Sequence, residues 1–334
     1  MVKIAINGFG RIGRDVFKIA FERHDAEIVA INDLSTPHFL SHLLKYDSTY
    51  GIYNHEVSAN NEHIIVNNKK IPFFSEANPQ NLPWKKLDVD VVIECTGAFT
   101  DPAKASSHIA SGAKKVVISA PANSEDVKTI VLGVNEDAIN SSDEIVSNAS
   151  CTTNCVAPII KILEEHFGIE KVMMTTVHSY IPSQRLLDKP AKNLRESRSA
   201  AENIIPTSTD TPKNTTLAIP SLAGKITGLS IRVPTSIVSL SDITAVIKKD
   251  TTKEEINEIF RQAAKEPFYQ GILGVSEAEL VSSDFRGDAH SCIIDLPLTN
   301  VVGGNLIKIV AWYDNEWGYS NRLVELATDF GKEK

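Results

Sequence analysis

Apolar residues follow two different patterns along the chain. In the first half, short runs of valine and isoleucine alternate with segments whose apolar residues recur at helical spacing. Such runs are typical of strands buried on both faces, so the alternation predicts a parallel sheet with helices on both sides. The predicted strands are 2–6, 27–33, 88–97, 113–121, 128–134 and 143–150. This order is the doubly wound α/β pattern.

Beyond residue 151 the strands alternate apolar and polar positions instead, which predicts a mainly antiparallel sheet exposed on one side. These strands are 171–177, 228–233, 239–249, 290–297 and 305–314. Helices are predicted at 157–168, at 252–266 with Thr252 as its cap, and at 320–333. The segment 179–215 is polar.

We therefore predict three parts. A doubly wound, Rossmann-type domain spans residues 1–150, and an α+β catalytic domain with a mainly antiparallel sheet spans 151–316. A C-terminal helix over 317–334 returns to the first domain.

Composition narrows the class of protein. The chain has 334 residues, 42% hydrophobic and 23% charged, with a formal net charge of −8. An acidic balance argues against a dedicated nucleic-acid or membrane-surface binder, and no apolar run is long enough for a membrane span. Four cysteines are too few for a disulfide scaffold. Because Met1 leads directly into VKIAI, we expect a cytoplasmic protein.

The glycine motif at the first strand indicates a dinucleotide. Gly8, Gly10 and Gly13 form G-x-G-x-x-G between a strand and a helix, where backbone N–H groups can approach a pyrophosphate. Asp33 closes the second strand, where a carboxylate binds a ribose hydroxyl and repels a 2′-phosphate. This favours NAD over NADP. The alternative is a turn used only for packing, with Asp33 as a helix cap.

Cys151 is the candidate nucleophile. It lies in SNASCTTNC, at the junction of a strand and a helix, where the helix N-terminus lowers the pKa of a thiol. The alternative is an inert buried thiol. Cys155 completes Cys-x3-Cys, but with no second pair we expect no metal site and assign Cys155 to the core. His178, at the end of a strand, is the candidate base.

The polar segment is unusually basic for an acidic protein. It contains Arg185, Lys189, Lys192, Arg195 and Arg198. These residues form either a solvated loop or, near a thiol and a dinucleotide, a site for an anionic substrate such as a phosphate ester. Arg232, at the end of another strand, could point to the same place.

Several motifs together resemble the glyceraldehyde-3-phosphate dehydrogenase family. They are INGFGRIGR (6–14), LLKYDSTYG (43–51), SNASCTTNC (147–155), TTVHSY (175–180), NIIPTST (203–209), IRVPT (231–235) and WYDNEWGYSNR (312–322). The similarity is collinear over essentially the whole chain. It implies NAD-dependent oxidation of glyceraldehyde 3-phosphate, with inorganic phosphate, to 1,3-bisphosphoglycerate. It also implies a homotetramer.

The resemblance assigns roles residue by residue. Cys151 becomes the nucleophile and His178 its base. The cofactor set comprises Gly8, Gly10, Arg11, Ile12, Gly13, Asp33, Thr96, Gly97, Ser119 and Asn315. The set for substrate and phosphate comprises Ser150, Thr152, Arg195, Thr209 and Arg232.

Some positions depart from the family pattern. Ile181 replaces a threonine that helps to bind the substrate phosphate, and Asp210 replaces a glycine beside the phosphate site. Ala77 and Lys189 are unusual near the adenosine. Because erythrose-4-phosphate dehydrogenases also lose the threonine and the glycine, that substrate is the alternative. A binding protein that has lost turnover is a further alternative, disfavoured by the intact Cys151 and His178.

Overall fold

The computed structural model describes residues 1–332 and divides into two compact units. The first unit contains residues 1–130, 137–149 and, within the described part of the chain, 320–332. The second contains residues 131–136 and 150–319.

The strands of the first unit form one large sheet and a small hairpin. They are β1 (Val2–Asn7), β2 (Ala26–Asn32), β3 (Tyr46–Asp47), β4 (Gly51–Ile52), β5 (Val57–Ala59), β6 (His63–Val66), β7 (Lys69–Phe74), β8 (Val91–Glu94), β9 (Lys115–Ile118), β10 (Lys128–Thr129) and β11 (Ile145–Ser147). The large sheet has the order β10-β11-β9-β8-β1-β2-β7-β6-β5, and β3 pairs with β4. The pairs from β10 to β7 are parallel, while β7-β6 and β6-β5 are antiparallel.

Helices cover this sheet because its central strands are buried on both faces. They are α1 (Arg11–Phe21), α2 (Pro37–Lys45), α3 (Trp84–Leu87) and α4 (Pro102–Ala110). Thr36 and Asp101 cap α2 and α4, and each cap precedes a proline in the first turn, as helix starts favour. Trp84 is fully buried in the core beside Val92 and Val116.

The predicted strand 128–134 is only partly correct. β10 ends at Thr129, and residues 131–136 belong to the second unit. Side chains take the backbone amides there: Val131 N–H donates to Asn135 Oδ1 at 2.9 Å, and Gly133 N–H donates to Glu136 Oε1 at 3.2 Å. Such local bonds compete with a strand ladder, which explains why the apolar run does not continue as a strand.

The second unit places helices against a mainly antiparallel sheet. Its helices are α5 (Cys151–Phe167), α6 (Thr211–Ala218) and α7 (Lys253–Ala263). Its strands are β12 (Ile169–Ser179), β13 (Ile205–Thr207), β14 (Ile226–Val233), β15 (Ser239–Ile247), β16 (Leu273–Ser276), β17 (Cys292–Asp295), β18 (Asn300–Val302) and β19 (Leu306–Tyr313). The order is β13-β14-β12-β15-β19-β17-β16, and β18 pairs with β19. β12-β14 and β16-β17 are parallel, and the other pairs are antiparallel. The predicted fold class is confirmed.

The core of the second unit lies between α5 and this sheet. Burial alternates strictly along β15, which confirms the prediction of a sheet with one buried face. Cys155 and Cys292 are fully buried in this core, so Cys155 is a core residue, as predicted.

The two predicted helices near the C-terminus are present, and the cap of the first is confirmed. The side chain of Thr252 caps α7 by accepting from Glu255 N–H at 3.2 Å. The last helix, α8 (Trp317–Gly331), begins three residues before the predicted start at 320. Residues 333 and 334, which the predictions include, lie outside the described residues. No helix in the described part of the chain is long and apolar enough to cross a membrane.

Candidate active site

The glycine turn of the first unit packs too closely for a side chain at two of its three glycines, Gly8 and Gly13. Gly8 has φ of +91°, and a Cβ there would lie 2.8 Å from the backbone of Cys95 and Thr96. A Cβ on Gly13 would lie 2.0 Å from the carbonyl oxygen of Gly8. By contrast, a Cβ on Gly10 would meet open space. The turn therefore packs on one side and leaves its other side open at the start of α1.

A cavity of about 290 Å³ lies over this turn. It is lined by Asn7, Gly8, Gly10, Asn32, Asp33, Leu34, Glu76, Ala77, Cys95, Thr96 and Phe99. These residues follow the carboxyl ends of parallel strands, where doubly wound sheets bind ligands. The cavity, the cradle of glycines and the start of α1 fit the pyrophosphate and ribose of a dinucleotide.

Asp33 lines the cavity and also hydrogen-bonds to the backbone of the glycine turn. Its Oδ2 accepts from Phe9 N–H at 2.7 Å and its Oδ1 accepts from Ser35 N–H at 2.8 Å. The carboxylate is thereby fixed at the cavity wall. The alternative of Asp33 as a helix cap is wrong, because Thr36 caps α2, and the Phe9 and Ser35 amides that Asp33 binds lie outside any helix.

Arg11 is held by a neighbouring carboxylate. Its Nη1 donates to Asp47 Oδ2 at 2.8 Å. Burial opposes ionisation of Asp47, but the bonds from Arg11 and from the Thr49 and Tyr50 N–H groups outweigh it and lower its pKa to about 2. The Arg11–Asp47 pair is therefore charged at neutral pH.

Cys151 and His178 meet within the second unit. Cys151 is the first residue of α5, and Ser150 caps this helix by accepting from Thr153 N–H at 3.1 Å. His178 lies next to the last residue of β12. Cys151 Sγ and His178 Nε2 are 3.5 Å apart, a hydrogen-bonding distance for sulfur.

A second contact fixes the role of each imidazole nitrogen. His178 Nδ1 lies 2.7 Å from the carbonyl oxygen of Ser179, which can only accept, so Nδ1 carries the proton. Nε2 is then free to accept from the thiol. Burial, followed by the charge of Arg232, lowers the pKa of His178 to about 3, so the imidazole is neutral at rest.

The thiol corrects one expectation from the sequence. Burial raises the pKa of Cys151, while the charge of Arg232 and hydrogen bonds involving Thr152 act in the opposite direction. Desolvation thus opposes the helix terminus that was predicted to lower this pKa. Activation of Cys151 therefore depends on the partner that takes its proton, His178.

Two hydroxyl networks hold the pair. Tyr313 Oη lies 2.9 Å from Thr152 Oγ1 and 2.7 Å from Thr176 Oγ1, and the Tyr313 ring packs edge-on against His178. In the second network, Ser239 Oγ accepts from Ser179 N–H at 3.2 Å, next to His178 in the chain. The Ser239 hydroxyl in turn donates to Asn315 Oδ1 at 2.9 Å.

A second cavity, of about 360 Å³, is lined by Ile181, Ser183, Gln184, Lys192, Asn193, Glu196, Thr207, Ser208 and Arg232. Arg232 Nη1 and Gln184 Nε2 are buried and have no hydrogen-bond partner among the described residues. The Arg232 charge also acts on Cys151. Two buried donors, one of them charged, make this cavity suited to an anion.

Comparison with known proteins assigns the chain to a family. The family description "Glyceraldehyde 3-phosphate dehydrogenase, NAD binding domain" matches residues 2–102, and "Glyceraldehyde 3-phosphate dehydrogenase, C-terminal domain" matches residues 150–315. A glyceraldehyde-3-phosphate dehydrogenase of Borreliella burgdorferi is 53% identical over 332 residues, which cover 98% of each chain. The chain belongs to the glyceraldehyde-3-phosphate dehydrogenase family.

Other relatives agree. Glyceraldehyde-3-phosphate dehydrogenase 2 of Streptomyces avermitilis is 52% identical and glyceraldehyde-3-phosphate dehydrogenase 1 of Bacillus subtilis is 50% identical, each over 99% of both chains. The resemblance found in the sequence is confirmed. Since the matched N-terminal domain is an NAD binding domain, NAD is confirmed as the cofactor.

Membership in the glyceraldehyde-3-phosphate dehydrogenase family implies a set of cofactor residues. In the structure some of them line the first cavity and others do not. Gly8, Gly10, Asp33 and Thr96 line the first cavity. The remaining members of the predicted cofactor set, which do not line it, are Arg11, Ile12, Gly13, Gly97, Ser119 and Asn315.

The residues predicted to bind substrate and phosphate also lie in different places in the structure. Only Arg232 lines the second cavity. Ser150 caps α5, Thr152 contacts Tyr313, and Thr209 Oγ1 donates to Thr211 Oγ1 at 3.0 Å. Arg195 is exposed and lies outside the cavity lining.

The departures from the family pattern fall in different places. Ile181 lines the second cavity, and its N–H donates to Gln184 Oε1 at 3.1 Å. Asp210 is exposed at the start of α6 and outside the lining, so the structure does not place its carboxylate beside the Arg232 guanidinium. Of the basic segment, Lys192 reaches the cavity, whereas Arg198 pairs with Asp188 at 2.9 Å on the surface.

Sequence reasoning missed several polar residues of both cavities. Asn7 and Asn32 line the first cavity and each end a buried strand, and this signal was available, because ligands bind at the carboxyl ends of parallel strands. Gln184 carried no signal of its own. Its importance depends on the buried, unpartnered Nε2 of its side chain, which follows from the folded structure and not from the sequence.

Proposed function

We propose that the chain oxidises glyceraldehyde 3-phosphate with NAD and inorganic phosphate to 1,3-bisphosphoglycerate. Family membership supports the reaction, and one observation supports the assignment of its residues. Cys151 Sγ lies 3.5 Å from the unprotonated Nε2 of His178. A nucleophile next to an oriented base is the arrangement that covalent catalysis requires.

The first step forms a bond between sulfur and the aldehyde carbon. As Sγ attacks, His178 Nε2 takes the thiol proton and delivers it to the carbonyl oxygen, which leaves a hemithioacetal with a hydroxyl group. The bond from Nδ1–H to the carbonyl of Ser179 keeps the ring oriented during this transfer.

The second step converts the hemithioacetal into a thioester. When bound, NAD supplies the hydride acceptor. His178 Nε2, neutral again, takes the hydroxyl proton as the carbon is oxidised. Inorganic phosphate then attacks the thioester, which releases the acyl phosphate and returns the thiolate of Cys151 for reprotonation.

The second cavity binds an anionic group in this proposal. Arg232 Nη1 and Gln184 Nε2 would donate to phosphate oxygens, either of the substrate or of inorganic phosphate. We further assign the other implied residues, Ser150, Thr152, Arg195 and Thr209, to substrate and phosphate. The lining alone does not support Arg195.

The first cavity holds the cofactor in this proposal. Gly8, Gly10 and Gly13 shape the turn for the pyrophosphate, and Asp33 and Thr96 line the wall. The family also implies that Arg11, Ile12, Gly97, Ser119 and Asn315 contribute to binding.

We also propose that the chain forms a homotetramer in the cytoplasm. The segment after His178 exposes four large aliphatic side chains at 71% or more, and exposed apolar surface is typical of subunit interfaces. They are Leu186 at 78%, Leu187 at 77%, Leu194 at 90% and Ile204 at 71%. The four cysteines are free, which fits a compartment where thiols stay reduced, such as the cytoplasm.

The test is NADH formation with two aldehydes, each with and without inorganic phosphate. We expect glyceraldehyde 3-phosphate to give the higher kcat/KM, and we expect sustained turnover only with phosphate. A higher kcat/KM for erythrose 4-phosphate would instead identify the alternative dehydrogenase. Sustained turnover without phosphate would contradict the acyl-phosphate step.

A further inference from the structure

Glu94, the last residue of β8, is a buried carboxylate that the mechanism does not use. It is 1% exposed. Its Oε1 accepts from Thr96 N–H at 2.7 Å and from the Thr96 hydroxyl. Its Oε2 accepts from Asn7 Nδ2 and lies 3.2 Å from His108 Nε2. Every contact of this carboxylate is with a donor, which offsets the cost of burying it.

A buried tryptophan decides the tautomer of the histidine in this network. Trp84 Nε1–H can only donate, and it lies 3.0 Å from His108 Nδ1. Nδ1 therefore accepts, and the proton of the neutral ring lies on Nε2, directed at Glu94. Trp84 and His108 are both fully buried, so water cannot replace either partner in this hydrogen bond.

The network ends at the wall of the cofactor cavity. Asn7 and Thr96, both held by Glu94, line the cavity. Asn7 Oδ1 accepts from Asn32 Nδ2 at 2.7 Å, which extends the network to the end of β2. Gly8 packs against the Thr96 backbone, since a Cβ on Gly8 would lie 2.8 Å from Thr96 N. The position of Thr96 therefore sets the surface on which the glycine turn rests.

We propose that Glu94 is a positioning residue for NAD, which holds Asn7 and Thr96 in the geometry that receives the cofactor, with Trp84 and His108 fixing the direction of its hydrogen bonds. The proposal rests on NAD as the cofactor of this cavity. Glu94 contacts the two lining residues, Asn7 and Thr96, from the side away from the cavity and does not line it. Glu94 itself does not react.

Glu94→Gln tests this proposal because it keeps the shape of the side chain and changes one acceptor into a donor. The new amide must face either the Thr96 donors or the Asn7 and His108 donors. His108 cannot change tautomer to accommodate it, because Trp84 already donates to Nδ1. We expect the Kd for NAD, measured by calorimetry, to rise about tenfold or more. The kcat at saturating NAD should remain close to that of the unsubstituted protein.

Trp84→Phe provides a rescue that a merely structural role would not produce. It frees His108 Nδ1, so the ring can carry its proton there and accept at Nε2. We expect Trp84→Phe with Glu94→Gln to bind NAD more tightly than Glu94→Gln alone, although Trp84→Phe by itself also removes core contacts. A double variant that binds no better than Glu94→Gln would overturn the assigned direction of the network.

Asp90→Asn is the matched control. Asp90 lies just before β8, at the opposite end of the same strand, where it accepts from Lys3 N–H at 2.8 Å. We expect it to leave the Kd for NAD unchanged, and equal Kd values for Glu94→Gln and Asp90→Asn would overturn the proposal. Should Glu94→Gln fail to fold, Thr96→Val must weaken NAD binding and Thr96→Ser must not. Failure of the unsubstituted protein to bind NAD would instead refute the cofactor assignment.

Discussion

His178→Asn perturbs the proton acceptor of Cys151 and leaves the rest of the second unit in place. The substitution removes Nε2, which lies 3.5 Å from Cys151 Sγ. Among the described residues, His178 has the only side chain within hydrogen-bonding distance of this sulfur that can take its proton. Burial already raises the pKa of Cys151. Without His178, we expect that pKa to rise further.

The size of the effect follows from the distance. Moving the proton from Sγ to Nε2 creates two opposite charges 3.5 Å apart. At an effective dielectric constant of about 20 their attraction is about 5 kcal/mol, enough to offset much of the burial cost. Losing the base should lower kcat by a factor of about 10² to 10⁴, the usual contribution of a general base.

The assay is the rate of iodoacetamide inactivation against pH, together with kcat. For the unsubstituted protein we expect alkylation at neutral pH, and for His178→Asn we expect the profile to move to higher pH. Tyr313→Phe, which keeps the ring against His178, is the matched control and should move the profile far less. An unchanged profile in His178→Asn would refute the pairing of the thiol with the imidazole.

Three further substitutions test other parts of the site. Asp33→Asn keeps the acceptor for Phe9 N–H and removes the charge that repels a 2′-phosphate. The ratio of kcat/KM for NADP to kcat/KM for NAD should therefore rise. An unchanged ratio counts against the assignment of Asp33 to the ribose. Ile181→Thr adds a hydroxyl donor to the second cavity and should lower KM for glyceraldehyde 3-phosphate by about tenfold; an unchanged KM means that position 181 does not limit phosphate binding. The pKa of Asp47 falls from 3.8 to about 2 on folding, so its stabilising effect is present above pH 3.8 and is lost as pH falls toward 2. Asp47→Asn should therefore lower Tm at pH 7 and weaken the fall of Tm below pH 4, and an equal Tm at pH 7 would contradict the charged pair with Arg11.

The fold was predictable because its hydrophobic pattern is strong. Valine and isoleucine runs marked the central parallel strands, and a mixture of apolar and polar positions marked β15, whose burial alternates strictly in the structure. The antiparallel strands β5 and β6 were not predicted, since they are short and lie at the edge of the sheet. The strand predicted over 128–134 is too long, because side-chain bonds to the backbone of Val131 and Gly133 compete with a strand ladder there.

The site was predictable where a motif carried it. The glycine turn, Cys151 and His178 all came from sequence, because their chemistry needs particular residues at particular strand and helix ends. The direction of the shift of the Cys151 pKa did not, since burial opposes the helix terminus and depends on packing. Gln184 and Glu94 were also missed, because their importance lies in which donors surround them.

The central claim is that Cys151 carries the acyl group. The most direct measurement mixes the protein with NAD and glyceraldehyde 3-phosphate without inorganic phosphate and follows the first turnover. We predict a burst of NADH and an acyl adduct that mass spectrometry locates on the peptide containing Cys151. Cys151→Ser should show neither, whereas Cys155→Ala, a change one helical turn away in the core, should show both. A burst that persists in Cys151→Ser, or an adduct at another residue, would contradict the account.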